Sequence, residues 1–192
     1  LFSCKPFITM TILLTNDDGY DADGICYLKS EIKKIEQTVT FAPRQNCSGY
    51  SAAISLGKDI EIEELNKDTF VISGTPADCS YFGLHGSKKF DFTQLVSGIN
   101  LGSNLGTDIF YSGTVGAAIA GLKLRYPPIA FSVASYQPKD LDFIAKKCAE
   151  ICLYVRNINI ANRYLVNVNF PDINENNYIG SKLTTLAAGS YT

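Results

Sequence analysis

Two adjacent carboxylates, Asp17 and Asp18, close the apolar run Ile12, Leu13, Leu14 in the stretch TILLTNDDGY. Acids this close repel each other, and at a buried strand end they would tend to protonate unless a cation lies between them. Further polar clusters follow two later apolar runs: Ser48 and Ser51 after TVTFA and Pro43, then Asn100, Asn104, Ser112 and Thr114 after FTQLVSGI. If the three runs are parallel strands, these clusters and Asn16 share one sheet edge, where open α/β sheets place their ligands. Carboxylate, hydroxyl and amide oxygens together form a hard donor set, suited to magnesium, manganese or calcium and poorly suited to zinc.

Glycines 102, 106, 113 and 116, with Ser112 and Thr114 ahead of an apolar helical stripe, suggest a second device. Backbone N–H groups at a helix start, supplemented by hydroxyls, bind phosphate without lysine or arginine. Cation and anion cradle together point to phosphoryl chemistry. Asp-Asp-Gly alone is also a common turn, and a Gly/Ser/Thr run is also a common helix cap. Recurrence after three successive strands favours a functional site over both.

Several routes to phosphoryl chemistry are excluded. No G-x-x-x-x-G-K-[ST] is present, and the first strand–helix turn lacks G-x-G-x-x-G, which argues against P-loop and dinucleotide sites. The single histidine, His85, lies in an apolar stretch before Gly86, so a Ser-His-Asp triad or a histidine nucleophile is disfavoured. An aspartyl-phosphate phosphatase of the haloacid dehalogenase kind needs Asp-x-Asp at the strand end. Asp21 and Asp23 have that spacing, yet they lie beyond Gly19, in the approach to the helix.

The elements that must position these residues alternate along the chain. Ile25, Leu28, Ile32 and Ile35 keep helical spacing after NDDG, and TVTFA is a second strand, which makes a right-handed βαβ unit. Residues 56–73 hold two short strands, IEIEEL and TFVIS, as a local excursion that need not belong to the main sheet. SGTPADC opens a helix with Pro76 at its first position and Asp78 in its first turn. A strand at 92–99, a small-residue helix in VGAAIAGLKL, a strand at 129–135, a helix over 141–155 and a last strand in YLVNVNFP complete the alternation. The expected fold class is α/β, a three-layer, doubly wound, mostly parallel sheet with helices on both faces. Residues 10–192 read as one domain, and residues 1–9 as an upstream extension.

With 192 residues, 46% of them hydrophobic, the chain can bury a substantial core. A net charge of -2 offers no basic footprint for duplex nucleic acid or an anionic membrane, and no run is long enough to span one. The six cysteines include no C-x-x-C, which points to reduced core thiols in a cytoplasmic protein.

Four motifs in order carry a family resemblance: ILLTNDDGYDADGI, the loop with Ala42, Pro43, Ser48, Gly49 and Ser51, SGTPADC, and VSGINLGSNLGTDIFYSGTVGAA. From about Thr11 to Pro171 the chain resembles the SurE survival-protein family of metal-dependent nucleoside-monophosphate phosphatases. The resemblance implies one divalent cation, Mg2+ or Mn2+, with Ca2+ an option in crystals, held by Asp17, Asp18, Ser48 and Asn100. It further implies a phosphate cradle from Asn104, Ser112, Gly113 and Thr114. Nucleoside 5′- and 3′-monophosphates are the implied substrates, with short polyphosphate for some members, and a homodimer or homotetramer is the implied assembly. Family members usually continue past the last strand into a hairpin and C-terminal segment exchanged between subunits, and SKLTTLAAGSYT lacks the arginines expected near that point. In the expected reaction a metal-activated water attacks phosphorus and Asp17 orients or deprotonates it, with a phosphorylated aspartate left open. A non-catalytic nucleotide or phosphate sensor on the same fold is the alternative.

Overall fold

In the computed structural model, which describes residues 10–86, 89–158 and 164–187, strands and helices alternate from the first apolar run. Their order is Thr11–Thr15 (β1), Asp23–Ile32 (α1), Gln37–Pro43 (β2), Ile62–Asn66 (β3), Thr69–Ile72 (β4), Pro76–His85 (α2), Phe92–Leu101 (β5), Gly113–Ile119 (α3), Ile129–Val133 (β6), Leu141–Asn157 (α4) and Val166–Phe170 (β7). The seven strands form one sheet in the order β3-β4-β2-β1-β5-β6-β7. Every neighbouring pair is parallel except the antiparallel pair β3 and β4. The winding runs outward in one direction from β1 to β4 and in the other from β5 to β7, so β1 and β5 flank the switch point.

Alternation along the strands divides the interior into two cores. Ile12 and Leu14 of β1 join Val96, Phe131, Leu28 and Cys148 on the face covered by α1 and α4. Leu13 turns to the other face, with Leu95, Phe41, Cys79 and Val115 under α2 and α3. All five residues of β1 are buried, as a strand covered by helices on both sides requires. The three-layer, doubly wound architecture is therefore as expected.

The excursion over 56–73 does belong to the main sheet. β4 is buried throughout and pairs in parallel with β2, while β3 is exposed throughout and forms an antiparallel edge. A polar clamp holds this wing in place. Asp68, in the turn between β3 and β4, accepts from Lys29 Nζ of α1 and from Nζ of Lys33, the residue that caps α1, each at 2.9 Å, and its carbonyl accepts from Thr40 N at 2.9 Å. The helical run after Ser112 is shorter than its apolar pattern, with α3 giving way to a 3-10 turn at Ala120–Lys123. Residues 178–187 form no strand, and Ile179 and Leu183 are fully exposed. The extension expected at residues 1–9 lies outside the described residues.

Burial raises the Asp68 pKa, but hydrogen bonds from Lys33, then Lys29 and Thr69, outweigh it and hold the group at about 2. A depressed folded-state pKa gives stability that is complete above the ordinary value near 3.8 and is lost as the pH falls through about 2. Asp68→Asn should therefore cost about 1 kcal/mol at pH 7, measured by urea unfolding, with the gap closing below about pH 3.

Candidate active site

The turn leaving β1 is fixed before any side chain is considered as a ligand. Asn16, fully buried, donates from Nδ2 to the Gly19 carbonyl at 2.7 Å, and Gly19 has φ +122°, a conformation open to glycine. The loop after β2 is fastened to this turn by Tyr20 N donating to Pro43 O at 3.0 Å and Cys47 N donating to Asp17 O at 2.7 Å. Asp17 and Asp18 thus stand at the carboxyl edge of the sheet, beside the switch point.

The two carboxylates diverge. Asp17, 4% exposed, turns toward α3 and accepts from the Thr114 hydroxyl at 2.5 Å, and the amides of Gly113 and Thr114 also face it. A Cβ on Gly113 would lie 2.8 Å from the Asp17 Cβ, so this approach needs glycine. Asp18 turns toward the other strand ends, accepting from Asn46 Nδ2 at 3.1 Å and facing the Leu101 amide. Burial raises the pKa of Asp17, with the Thr114 hydroxyl and nearby amides opposing it. Burial and then the Asp17 charge push Asp18 up to about 6, against the Leu101 amide and Asn46.

Among the described residues, neither aspartate is paired with a lysine, arginine or histidine. Nor does any group of three or more His, Cys, Asp or Glu side chains assemble a metal site there. The available donor set is two carboxylates plus neutral oxygens, and that chemistry fits a hard divalent cation. Ser48 is exposed, and Asn100 spends its Nδ2 on Gly102 O at 2.7 Å, which leaves its carbonyl oxygen for a cation.

The residues expected to form a phosphate cradle divide in their contacts. Ser112 caps α3 by accepting from Val115 N at 3.1 Å, so its own proton is not used in that bond. Thr114 commits its proton to Asp17. Asn104 is buried and anchored to the β6 and β7 side, donating from Nδ2 to Ser132 Oγ at 2.8 Å and accepting at its carbonyl from Asn167 and Asn169. Ser51 docks one loop on another, with its hydroxyl donating to Phe110 O at 2.6 Å and its N–H to Tyr111 O at 3.2 Å. His85 sits exposed in the last turn of α2, at the opposite end of that helix from the edge where the aspartates lie. Asn46 escaped the sequence reading, although N-C-S places an acceptor two residues before Ser48, the spacing of an Asx turn.

A family model described as "Survival protein SurE" matches residues 12–192. The chain belongs to the SurE family. The 5′-nucleotidase SurE of Acinetobacter baylyi is 39% identical over 169 residues, spanning 85% of this chain and 66% of that protein. The 5′-nucleotidase SurE of Pseudoalteromonas atlantica is 36% identical over 175 residues, spanning 91% of this chain and 71% of that protein. The crystal structure of the SurE protein from Aquifex aeolicus superposes with a TM-score of 0.86 at 36% identity, covering 95% of this chain and 74% of that one. The chain thus spans about two thirds of the length of these curated SurE relatives.

The contact between α3 and the NDDG turn of this SurE chain is open to test. Gly113→Ala improves helix propensity, yet its Cβ would press on Asp17. A loss of about 1–3 kcal/mol is expected, the usual cost of overpacking, and urea unfolding measures it.

Proposed function

We propose that this SurE-family chain carries the site of a divalent-metal-dependent phosphomonoesterase acting on nucleoside 5′- and 3′-monophosphates, with short polyphosphate as a further substrate. The observation that carries this reading is the pair Asp17 and Asp18 at the switch point, 4% exposed at Asp17 and without a cationic side-chain partner among the described residues. The names of the relatives, 5′-nucleotidase SurE, support the substrate class. The free thiols of Cys26, Cys47, Cys79, Cys148 and Cys152 accord with a reducing, cytoplasmic setting. Among the described residues no helix is long and apolar enough to cross a membrane. A homodimer or homotetramer remains part of the proposal.

Asp17, Asp18, Ser48 and Asn100 would hold a magnesium or manganese ion. When bound, such an ion supplies charge neutralisation at the phosphoryl group and activation of a water. Asp17 is the residue to orient that water and take its proton, because Thr114 holds one carboxylate oxygen and fixes the direction of the other. Ser112 has a hydroxyl proton to give a phosphoryl oxygen, and the second N–H of the Asn104 amide is the other donor from this edge. Thr114 and Gly113 act in this scheme chiefly through Asp17.

Purified protein with manganese should release phosphate from a panel of 5′- and 3′-nucleoside monophosphates and from tripolyphosphate, and EDTA should abolish release. Asp17→Asn should fold normally and lose at least about 100-fold in kcat, the scale of a missing general base. Full activity in a folded Asp17→Asn protein would remove the role given to Asp17. Nucleotide binding without phosphate release across the panel would favour a sensor instead.

A further inference from the structure

Asn46 stands in the exposed loop after β2 and uses both ends of its amide. Its Oδ1 accepts from Ser48 N at 2.9 Å and from Ser48 Oγ at 2.7 Å, and its Nδ2 donates to Asp18 Oδ1 at 3.1 Å. The next residue, Cys47, ties the same loop to the Asp17 carbonyl. Because the Ser48 hydroxyl proton is taken by Asn46, the lone pairs of that oxygen are left to face outward. Because Asn46 engages one oxygen of Asp18, the rotation of that carboxylate is restricted. An Asx turn explains the two bonds to Ser48. It does not explain the bond to Asp18, which joins residues 28 apart in sequence.

We infer that Asn46 is a positioning residue that couples Asp18 to Ser48, so that a divalent cation meets two of its ligands already arranged. This inference rests on the reading above, in which Asp17, Asp18, Ser48 and Asn100 hold that cation. Outer-shell partners of metal ligands have this effect when they hold a ligand's orientation before the metal arrives.

The test measures Mn2+ affinity directly, from the free-ion electron paramagnetic resonance signal, with no substrate present. Asn46→Ala should weaken binding about 10–100-fold, the usual effect of losing an outer-shell partner. Its thermal midpoint should change little, since the loop is exposed. Asn46→Ser keeps a short acceptor for the turn but cannot reach both Ser48 and Asp18, so its affinity should stay low. Gln45→Ala, one residue away, should bind manganese as the unaltered chain does. An Asn46→Ala affinity within twofold of the unaltered chain, or full recovery in Asn46→Ser, would overturn the inference while leaving the metal site standing. Failure of the unaltered chain to bind Mn2+ or Mg2+ would overturn the metal site itself, and this inference with it.

Discussion

Two carboxylates joined by one peptide bond, at the buried end of a strand, form the constraint to which the rest of this site answers. Left alone they would repel each other, and burial would push both toward the neutral acid. The chain separates them by sending Asp17 to the start of α3 and Asp18 to the loop after β2. Each is met by neutral donors, with Thr114 and two amides on one side and Asn46 and the Leu101 amide on the other. Dipoles of this kind restrain the acids without cancelling their charge, an arrangement compatible with the cation proposed above.

Much of the local architecture serves this arrangement. Gly113 lets the helix backbone reach the Asp17 side chain, and a Cβ on Gly116 would collide with the Ser51 carbonyl, so α3 can also lie beneath the loop after β2. That loop is fastened at several points. Cys47 reaches Asp17, Ser51 reaches Phe110 and Tyr111, and Asp78 accepts from Ser55 N at 2.9 Å while closing the capping box of α2 with Thr75. Ser51 has φ +56°, unusual for a residue with a Cβ, and its two bonds to the loop before α3 hold it there. Three loops from three strand ends are thereby joined into one surface around the aspartates.

The alternation of buried strands with amphipathic helices was legible because each signal is local. Ile12, Leu13 and Leu14 announce a strand covered on both faces, and Leu141 to Val155 repeats with the helical period. Placement of the excursion was not legible in this way. β3 is exposed at every residue, so no burial pattern marks it, and its wing is held by the pairing of β4 with β2 and by Asp68 meeting Lys29 of α1 and Lys33 at its C-terminal cap. Nor could the sequence show that Ser51 joins loops or that Asn46 bridges Asp18 and Ser48, since neither follows from residue type alone.

Residue types and order by themselves determined the layered α/β class and the polar, oxygen-bearing clusters that follow the strands, among them Asp17, Asp18, Ser48 and Asn100. Those are properties of short segments, whose periodicity and donor chemistry can be read one segment at a time. Tertiary structure alone decided which groups meet across long separations. Thr114 is 97 residues from Asp17 and yet donates its hydroxyl hydrogen bond to that carboxylate, a contact that no local pattern announces. The physical reason is that a hydrogen bond depends on distance and direction in space, and only the packing of α3 against the switch point brings those two side chains within reach.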